Sequence, residues 1–320
     1  VPLVLFWPAT GHDFIAMDDP IYVEGNAKVL DGLTAEGIGW AFSTTHGSIV
    51  APLTWISYMI DVSASGAQPS SFHRTNVVLH ALNATLLFLL LWRATGSWVP
   101  SALVALLFAV HPLRVESVAW VTERKDVLST AFLLGAMHLY LGYAREPSLR
   151  RMTYVALLML GGLLAKPMVV VLPLLLLALD HWPLARTIPL KQRIVEKWPL
   201  FALSALFSLL TVMAHGADGQ GPMDEGLFAA ERLARVPAAY AFQVQKWIWP
   251  DDLAALYPLT ATVPAGAILL GVVVIGTLVG LGVALRRRTP AVTAGLTWFL
   301  LGLLPVSGIV TVGIAHLADR

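Results

Sequence analysis

Apolar runs recur along the chain from its first residue to about residue 312, too many to be hidden inside one water-soluble core. A helix rises ~1.5 Å per residue, so about 20 residues cross a ~30 Å hydrocarbon layer. Nine stretches meet or approach that length: residues 1–9, 76–91, 99–110, 127–143, 152–164, 169–179, 200–213, 264–285 and 291–312. The third, fifth and sixth are short, so flanking residues must complete the crossing or the helices are broken. Composition agrees: 57% of the 320 residues are hydrophobic and 13% charged, against roughly 25% charged in a soluble domain. A soluble globular enzyme is thereby excluded. The expected fold is all-α, a polytopic transmembrane bundle of about nine spans with interfacial helices in the first outer loop and near residues 231–249. The chain opens on Val1 inside an apolar run, which suggests a fragment whose first span is a remnant.

Charge supplies an orientation. The 21 basic and 20 acidic residues give a net charge of +1, no field for gathering nucleic acid. If the spans alternate, Arg93, Arg145, Arg150, Arg151, Arg186, Lys191, Arg193, Lys197 and Arg286 to Arg288 fall on one side with only Glu146, Asp180 and Glu196. An excess of Lys and Arg in short loops marks the cytoplasmic side. The opposite side carries the long loop of residues 11–75 and the stretch 216–263. Residues 231–249 look helical yet hold Arg232, Arg235, Gln243, Gln245 and Lys246. They are read as an amphipathic or re-entrant helix on the outer face, closed by Pro250, with Trp247 and Trp249 at the interface.

The polar motifs lie on that outer side. Asp18 and Asp19 follow the first apolar run, where mutual repulsion and partial desolvation tend to raise one pKa, suiting a general base or a cation ligand. On the dipeptide alone the favoured reading is a solvated helix start with Pro20 in its first turn. Between two apolar runs, His111, Arg114, Glu116, Glu123, Arg124, Lys125 and Asp126 place seven ionisable groups within sixteen residues. A helix continuing from Pro112 would set Glu116, Trp120 and Arg124 on one face. Arg124 and Lys125 could hold a phosphate, Arg by its planar fork and Lys as a point charge, or could snorkel to lipid headgroups. Lys166, at a connection too short for a solvated loop, either snorkels or faces a polar cavity. His80 and Asn83, one turn apart, read as helix-to-helix hydrogen bonders. With no cysteine, disulfides, thiolate metal sites and Cys nucleophiles are excluded. No metal-binding, P-loop or dinucleotide motif is present, although Asp18 and Asp19 could hold a hard cation.

These residues resemble those of the transmembrane and tetratricopeptide-repeat O-mannosyltransferases and their bacterial relatives, within the C-type glycosyltransferase superfamily. The resemblance rests on Asp18-Asp19 with Tyr22, Val23 and Asn26, on Pro52-Leu53-Thr54, and on residues 76–83 with His80. It rests above all on His111-Pro112 through Val115-Glu116-Ser117-Val118-Ala119-Trp120-Val121 to Arg124-Lys125-Asp126-Val127-Leu128. Lys166-Pro167, Asp180-His181-Trp182-Pro183-Leu184 and Ala318-Asp319-Arg320 also match. It implies that residues 1–320 are a transmembrane glycosyltransferase domain, lacking further spans and the repeats that follow in the family.

It further implies an inverting glycosyltransferase that moves a sugar, mannose by preference, from polyprenyl or dolichyl phosphate to Ser or Thr of an exported protein on the non-cytoplasmic face. By carry-over, Asp18 is the base and Asp19 positions the acceptor, with exchange of roles open. Arg124, Lys125 and Lys166 bind the donor phosphate, and His111, Arg114 and Glu116 shape the donor pocket. No cofactor is implied, a divalent metal being neither required nor excluded. The partners are the lipid-linked sugar, the acceptor protein and membrane lipid, in a bacterial inner membrane or alternatively the endoplasmic reticulum membrane. Two other readings are a glycan or lipid acceptor with the same donor, and a transporter or flippase of a lipid-linked anion. Transport is disfavoured because charges gather on one face and no repeat is evident.

Overall fold

The computed structural model describes residues 1–46, 50–217, 229–255, 257 and 263–307, and every regular element among them is helical. Among the described residues, three helices are long and apolar enough to cross a membrane: Pro69–Thr95, Val121–Arg145 and Ala265–Leu285. A fourth crossing results if Trp98–Val110 and Pro112–Ala119, bent by 59°, act as one. This corrects the expectation of nine. Residues 152–164 and 169–179 fall in helices of 17 and 10 residues, Leu149–Ala165 and Leu172–His181. Neither reaches ~30 Å at ~1.5 Å per residue. The first stretch yields a helix of 5 residues, Pro2–Phe6. Trp198–Ala214 and Pro290–Val306 are apolar but short. Residues 308–312 of the ninth stretch, Pro258 and Ala318-Asp319-Arg320 lie outside the described residues.

The described residues form two compact units, one within residues 1–169 with Leu206–Ala214, the other within Val170–Ala205 and residues 215–307. In the first, α1 (Pro2–Phe6) leads into a loop region carrying α2 (Ala27–Leu30), α3 (Ala35–Ser43) and α4 (Pro52–Ser65). Helices therefore do occur in the expected first loop. Thr34 caps α3, its Oγ1 accepting from Gly37 N at 2.9 Å, and α4 starts on a first-turn proline, Pro52. The long helix α5 (Pro69–Thr95) ends where Gly96 takes a φ of 71°, a conformation open to glycine, and donates to Trp92 O at 2.8 Å.

Around α5 pack α6 (Trp98–Val110), α7 (Val115–Ala119) and α8 (Arg124–Arg145), with α9 (Leu149–Ala165) against α8. Polar side chains tie these apolar surfaces together. His80 Nε2 lies 3.0 Å from Ala109 O and Asn83 Nδ2 donates to Val127 O at 2.7 Å, the helix-to-helix bonds expected of that pair. Thr54 Oγ1 donates to Ala165 O at 2.9 Å, fixing the end of α9 beside α4.

The second unit holds α10 (Leu172–His181), α11 (Leu190–Val195), part of α12 (Trp198–Ala217), α13 (Ala229–Ile248), α14 (Ala265–Leu285) and α15 (Pro290–Gly302). The loop after α10 closes on a buried ion pair, Lys197 Nζ to Asp180 Oδ2 at 2.5 Å, joined by Arg186 and Glu196. The helix expected near 231–249 is α13, which ends two residues before Pro250 and leaves Trp247 and Trp249 exposed.

Helices α13 and α14 meet backbone to backbone. A Cβ added at Gly271 would lie 1.9 Å from Pro237 O, and backbone has no rotamer with which to yield. Gly271→Ala is expected to force the pair apart at a cost of about 1–3 kcal/mol or more. Gly276→Ala, with nothing within 4 Å, should be neutral. Thermal unfolding in detergent compares them, and equal melting temperatures would contradict this packing.

Candidate functional site

The helix expected to run from Pro112 through Arg124 is broken. A short 3-10 turn at Pro112–Arg114 leads into α7, Trp120 is extended (φ −89°, ψ 125°), and a second 3-10 turn at Val121–Glu123 precedes α8. Glu116, Trp120 and Arg124 thus do not share one continuous helical face, which corrects that expectation. The cause lies in partners for the backbone groups that the break frees. Asn76 Nδ2 donates to Trp120 O at 3.0 Å, Tyr58 Oη donates to Val121 O at 3.1 Å, and Asp19 Oδ1 accepts from Thr122 N at 3.2 Å. Irregular backbone inside an apolar bundle survives only with such partners. Burial pushes the Tyr58 phenol well above its ordinary pKa and so keeps it a donor.

Asp19 is fully buried and accepts a second bond at Oδ2 from Ile15 N at 2.9 Å. Its position therefore fixes the loop before it and the break in the second motif together. Burial raises its pKa, partly offset by the bonds from Ile15 and Thr122. Asp18 is half-buried, and its carboxylate has no hydrogen bond or ion pair among the described residues. The two adjacent acids are thus separated by environment: Asp19 is engaged, and Asp18 is open to a reactant.

Arg124 is fully buried at the start of α8. Its Nη2 donates to Asp61 Oδ2 at 2.6 Å and to Phe72 O at 2.8 Å, its Nη1 to Ser57 Oγ at 3.4 Å, and its Nε to Asn76 Oδ1. The guanidinium also lies 5.1 Å from the centre of the Tyr58 ring. A phosphate arriving at Arg124 meets donors already engaged.

Lys125 and Lys166 occupy different ground. Glu123, fully buried, lies between them, with Oε1 3.1 Å from Lys125 Nζ and Oε2 3.6 Å from Lys166 Nζ. Lys166 also bonds to Asp126 Oδ1, whose other oxygen accepts from Ser117 Oγ at 3.3 Å. Lys125 Nζ sits 5.0 Å from the centre of the Tyr22 ring, three residues beyond Asp19. The acidic loop and the two lysines thus share one place. Lys166 faces a polar cluster and does not snorkel.

Of the expected pocket residues, His111 Nδ1 accepts from Leu113 N at 3.3 Å and caps the 3-10 turn. Arg114 lies 5.6 Å from the Phe108 ring centre, within electrostatic reach of Asp126 and Glu116, which connects these three to the lysine cluster. The sequence reading gave no site role to Asp61, Asn76 or Thr122, and it counted Glu123 and Asp126 among the ionisable groups of 111–126 without assigning them one. Two carboxylates flanking adjacent cations, as at 123–126, are the signal for the last two. Among the described residues no group of three His, Asp or Glu could hold a metal ion.

Comparison with known proteins finds partial similarity to proteins named protein O-mannosyl-transferases. The chain is 38% identical over 111 residues to the protein O-mannosyl-transferase TMTC1 of Mus musculus, a match covering 34% of this chain and 11% of that protein. It is 37% identical over 95 residues to TMTC3 of Mus musculus, covering 30% and 10%. With TMTC4 of Homo sapiens the identity is 32% over 168 residues, covering 45% and 22%. The chain's matched part therefore spans 10 to 22% of these relatives. No family model and no solved structure matches the chain.

Two predictions follow from the buried charges. Asp61→Asn leaves the Arg124 guanidinium uncompensated in a dry site and should cost about 3–5 kcal/mol, whereas adding Arg124→Gln should cost less than the sum of the single changes. A double-mutant cycle on unfolding free energies that sums to zero would contradict the pair. For Asp19, the folded pKa lies above the unfolded one, so the fold binds more protons in that interval. Its contribution to stability is full below ~3.9 and is lost as pH rises through the raised pKa. Asp19→Asn should flatten that slope in melting temperature against pH, and an unchanged slope would contradict the assignment.

Proposed function

We propose that the protein is an integral membrane glycosyltransferase that moves a sugar, preferentially mannose, from a polyprenyl or dolichyl phosphate to a Ser or Thr hydroxyl of an exported protein. On this reading residues 1–320 belong to its C-type transmembrane domain, and transfer occurs on the non-cytoplasmic face. The observation that carries the reading is the convergence of an acid pair and a lysine pair: Asp19 binds Thr122 N, and the next residue, Glu123, holds Lys125 and Lys166. The name protein O-mannosyl-transferase, borne by the relatives, adds the sugar and the acceptor class.

Asp18, with its open carboxylate, takes the proton from the acceptor hydroxyl. The hydroxyl oxygen forms a bond to the anomeric carbon from one side while the bond to the lipid phosphate breaks on the other, which inverts the centre. The electron pair of the broken bond leaves with the phosphate, whose charge Lys125 and Lys166 offset. Asp19 acts by holding the loop, and Arg124 acts by anchoring the start of α8 from which Lys125 projects. Two lysines facing Glu123 and Asp126 form a formally neutral set, so the donor phosphate must draw Lys166 from Asp126. His111, Arg114 and Glu116 border the sugar side of this cluster.

Membranes holding the full-length protein, incubated with labelled polyprenyl-phosphate mannose and a pool of exported proteins, test the reading. Wild type should label Ser or Thr. Asp18→Asn should lower transfer by about 10²-fold or more at unchanged protein level, and Lys166→Met should raise the donor KM. Full transfer by Asp18→Asn would refute the base. Label found on lipid or glycan alone would refute the protein acceptor.

A further inference from the structure

The opposite end of the first unit carries a second basic site. A cleft of about 610 Å³ opens where α5 ends and α8 turns into α9, bordered by Arg93, His138, Glu146, Arg150, Arg151 and Tyr154. Arg145 also reaches this end, its Nη2 donating to Arg93 O at 3.4 Å. Among the described residues, four guanidiniums thus meet a single carboxylate, Glu146.

The four do different things. Arg145 and Arg151 serve the ends of helices: Arg151 donates to Gly142 O at 3.1 Å and to Glu146 O at 2.8 Å, besides pairing with the Glu146 carboxylate. Arg93 and Arg150 have no carboxylate partner among the described residues. Arg93 Nη1 lies 3.2 Å from His138 Nδ1, and His138 Nε2 lies 2.9 Å from Leu86 O, which fixes the ring as a neutral acceptor toward Arg93. Arg150 is steered by Tyr154, donating from Nε to Oη at 3.1 Å with its guanidinium 5.7 Å from the ring centre. Two oriented cations therefore face one cleft, each keeping donors to spare. Beside them Leu139, Leu149 and Leu157 expose apolar side chains, Leu149 to 84%.

We propose that this cleft binds the phosphate of an anionic phospholipid, with the exposed leucines against its acyl chains. A guanidinium pair suits a phosphodiester, and a basic pocket between helices next to an apolar flank suits a membrane lipid better than a free ion. The loops concerned are those that the charge pattern places on the cytoplasmic side, away from the acid and lysine cluster. Lipid binding here clamps the turn between α8 and α9, the helices that deliver Lys125 and Lys166.

Thermal unfolding of the full-length protein in detergent, titrated with short-chain phosphatidylglycerol, phosphatidylcholine of the same chains, or inorganic phosphate, tests the proposal. Phosphatidylglycerol should raise the melting temperature at concentrations at least fivefold below phosphatidylcholine. Arg93→Gln and Arg150→Gln should each raise the half-saturating concentration about fivefold, and Arg288→Gln should not. Among the described residues the Arg150 guanidinium hydrogen-bonds Tyr154 alone, so its variant should fold even if Arg93→Gln does not. Equal response to the two lipids, an unchanged response in Arg150→Gln, or saturation by inorganic phosphate with no further lipid effect would overturn it.

Discussion

The first unit depends on a buried cation. Arg124 has no exposure at all, and a guanidinium in an apolar bundle is tolerable only when its charge and donors are met. Asp61 from α4, Asn76 and Phe72 O from α5, and the face of Tyr58 meet them. One side chain thereby fixes three helices against each other. Replacing the group by an apolar residue would remove more than a charge, because Asp61 would then be the uncompensated one.

The break in the second motif follows from the same arrangement. With the start of α8 held by Arg124, residues 120–122 cannot continue the preceding helix, and their backbone groups find Asn76, Tyr58 and Asp19. Asp19 is thus drawn into the bundle, and its neighbour Asp18 is left at the edge. Glu123, directly after the break, carries a charge into the interior that two ammonium groups answer. A neutral cluster holds two lysines in place with less desolvation cost than bare cations would suffer, and on the proposed function an arriving phosphate would exchange one anionic partner for another.

Much of this was legible in the residues. Density of ionisable groups between apolar runs marked 111–126 as the segment whose charges gather in one cluster, and the one-turn spacing of His80 and Asn83 gave their helix-to-helix bonds. The all-helical class followed from apolar runs that meet or approach the ~20 residues a helix needs to cross a membrane. Span number was not legible, because 152–164 and 169–179 are apolar enough to be taken for crossings, yet the helices they form, Leu149–Ala165 and Leu172–His181, end short of that length on either side of Lys166-Pro167. The role of Arg124 was hidden for a related reason. Adjacent Arg and Lys look alike in sequence, but they start a helix and point to different sides: one enters the packed interior toward Asp61, and the other faces Tyr22 and Glu123. Asp61 lies 63 positions away from Arg124, a separation at which one sequence gives no sign of pairing.

The central claim is that the acidic loop and the lysine cluster are one site. An experimental structure of the full-length protein with a bound polyprenyl phosphate tests it directly. The phosphate should contact Lys125 and Lys166, with Asp18 on the side where an anomeric carbon would face the acceptor. Phosphate held elsewhere in the bundle, with the Glu123 cluster undisturbed, would contradict the claim.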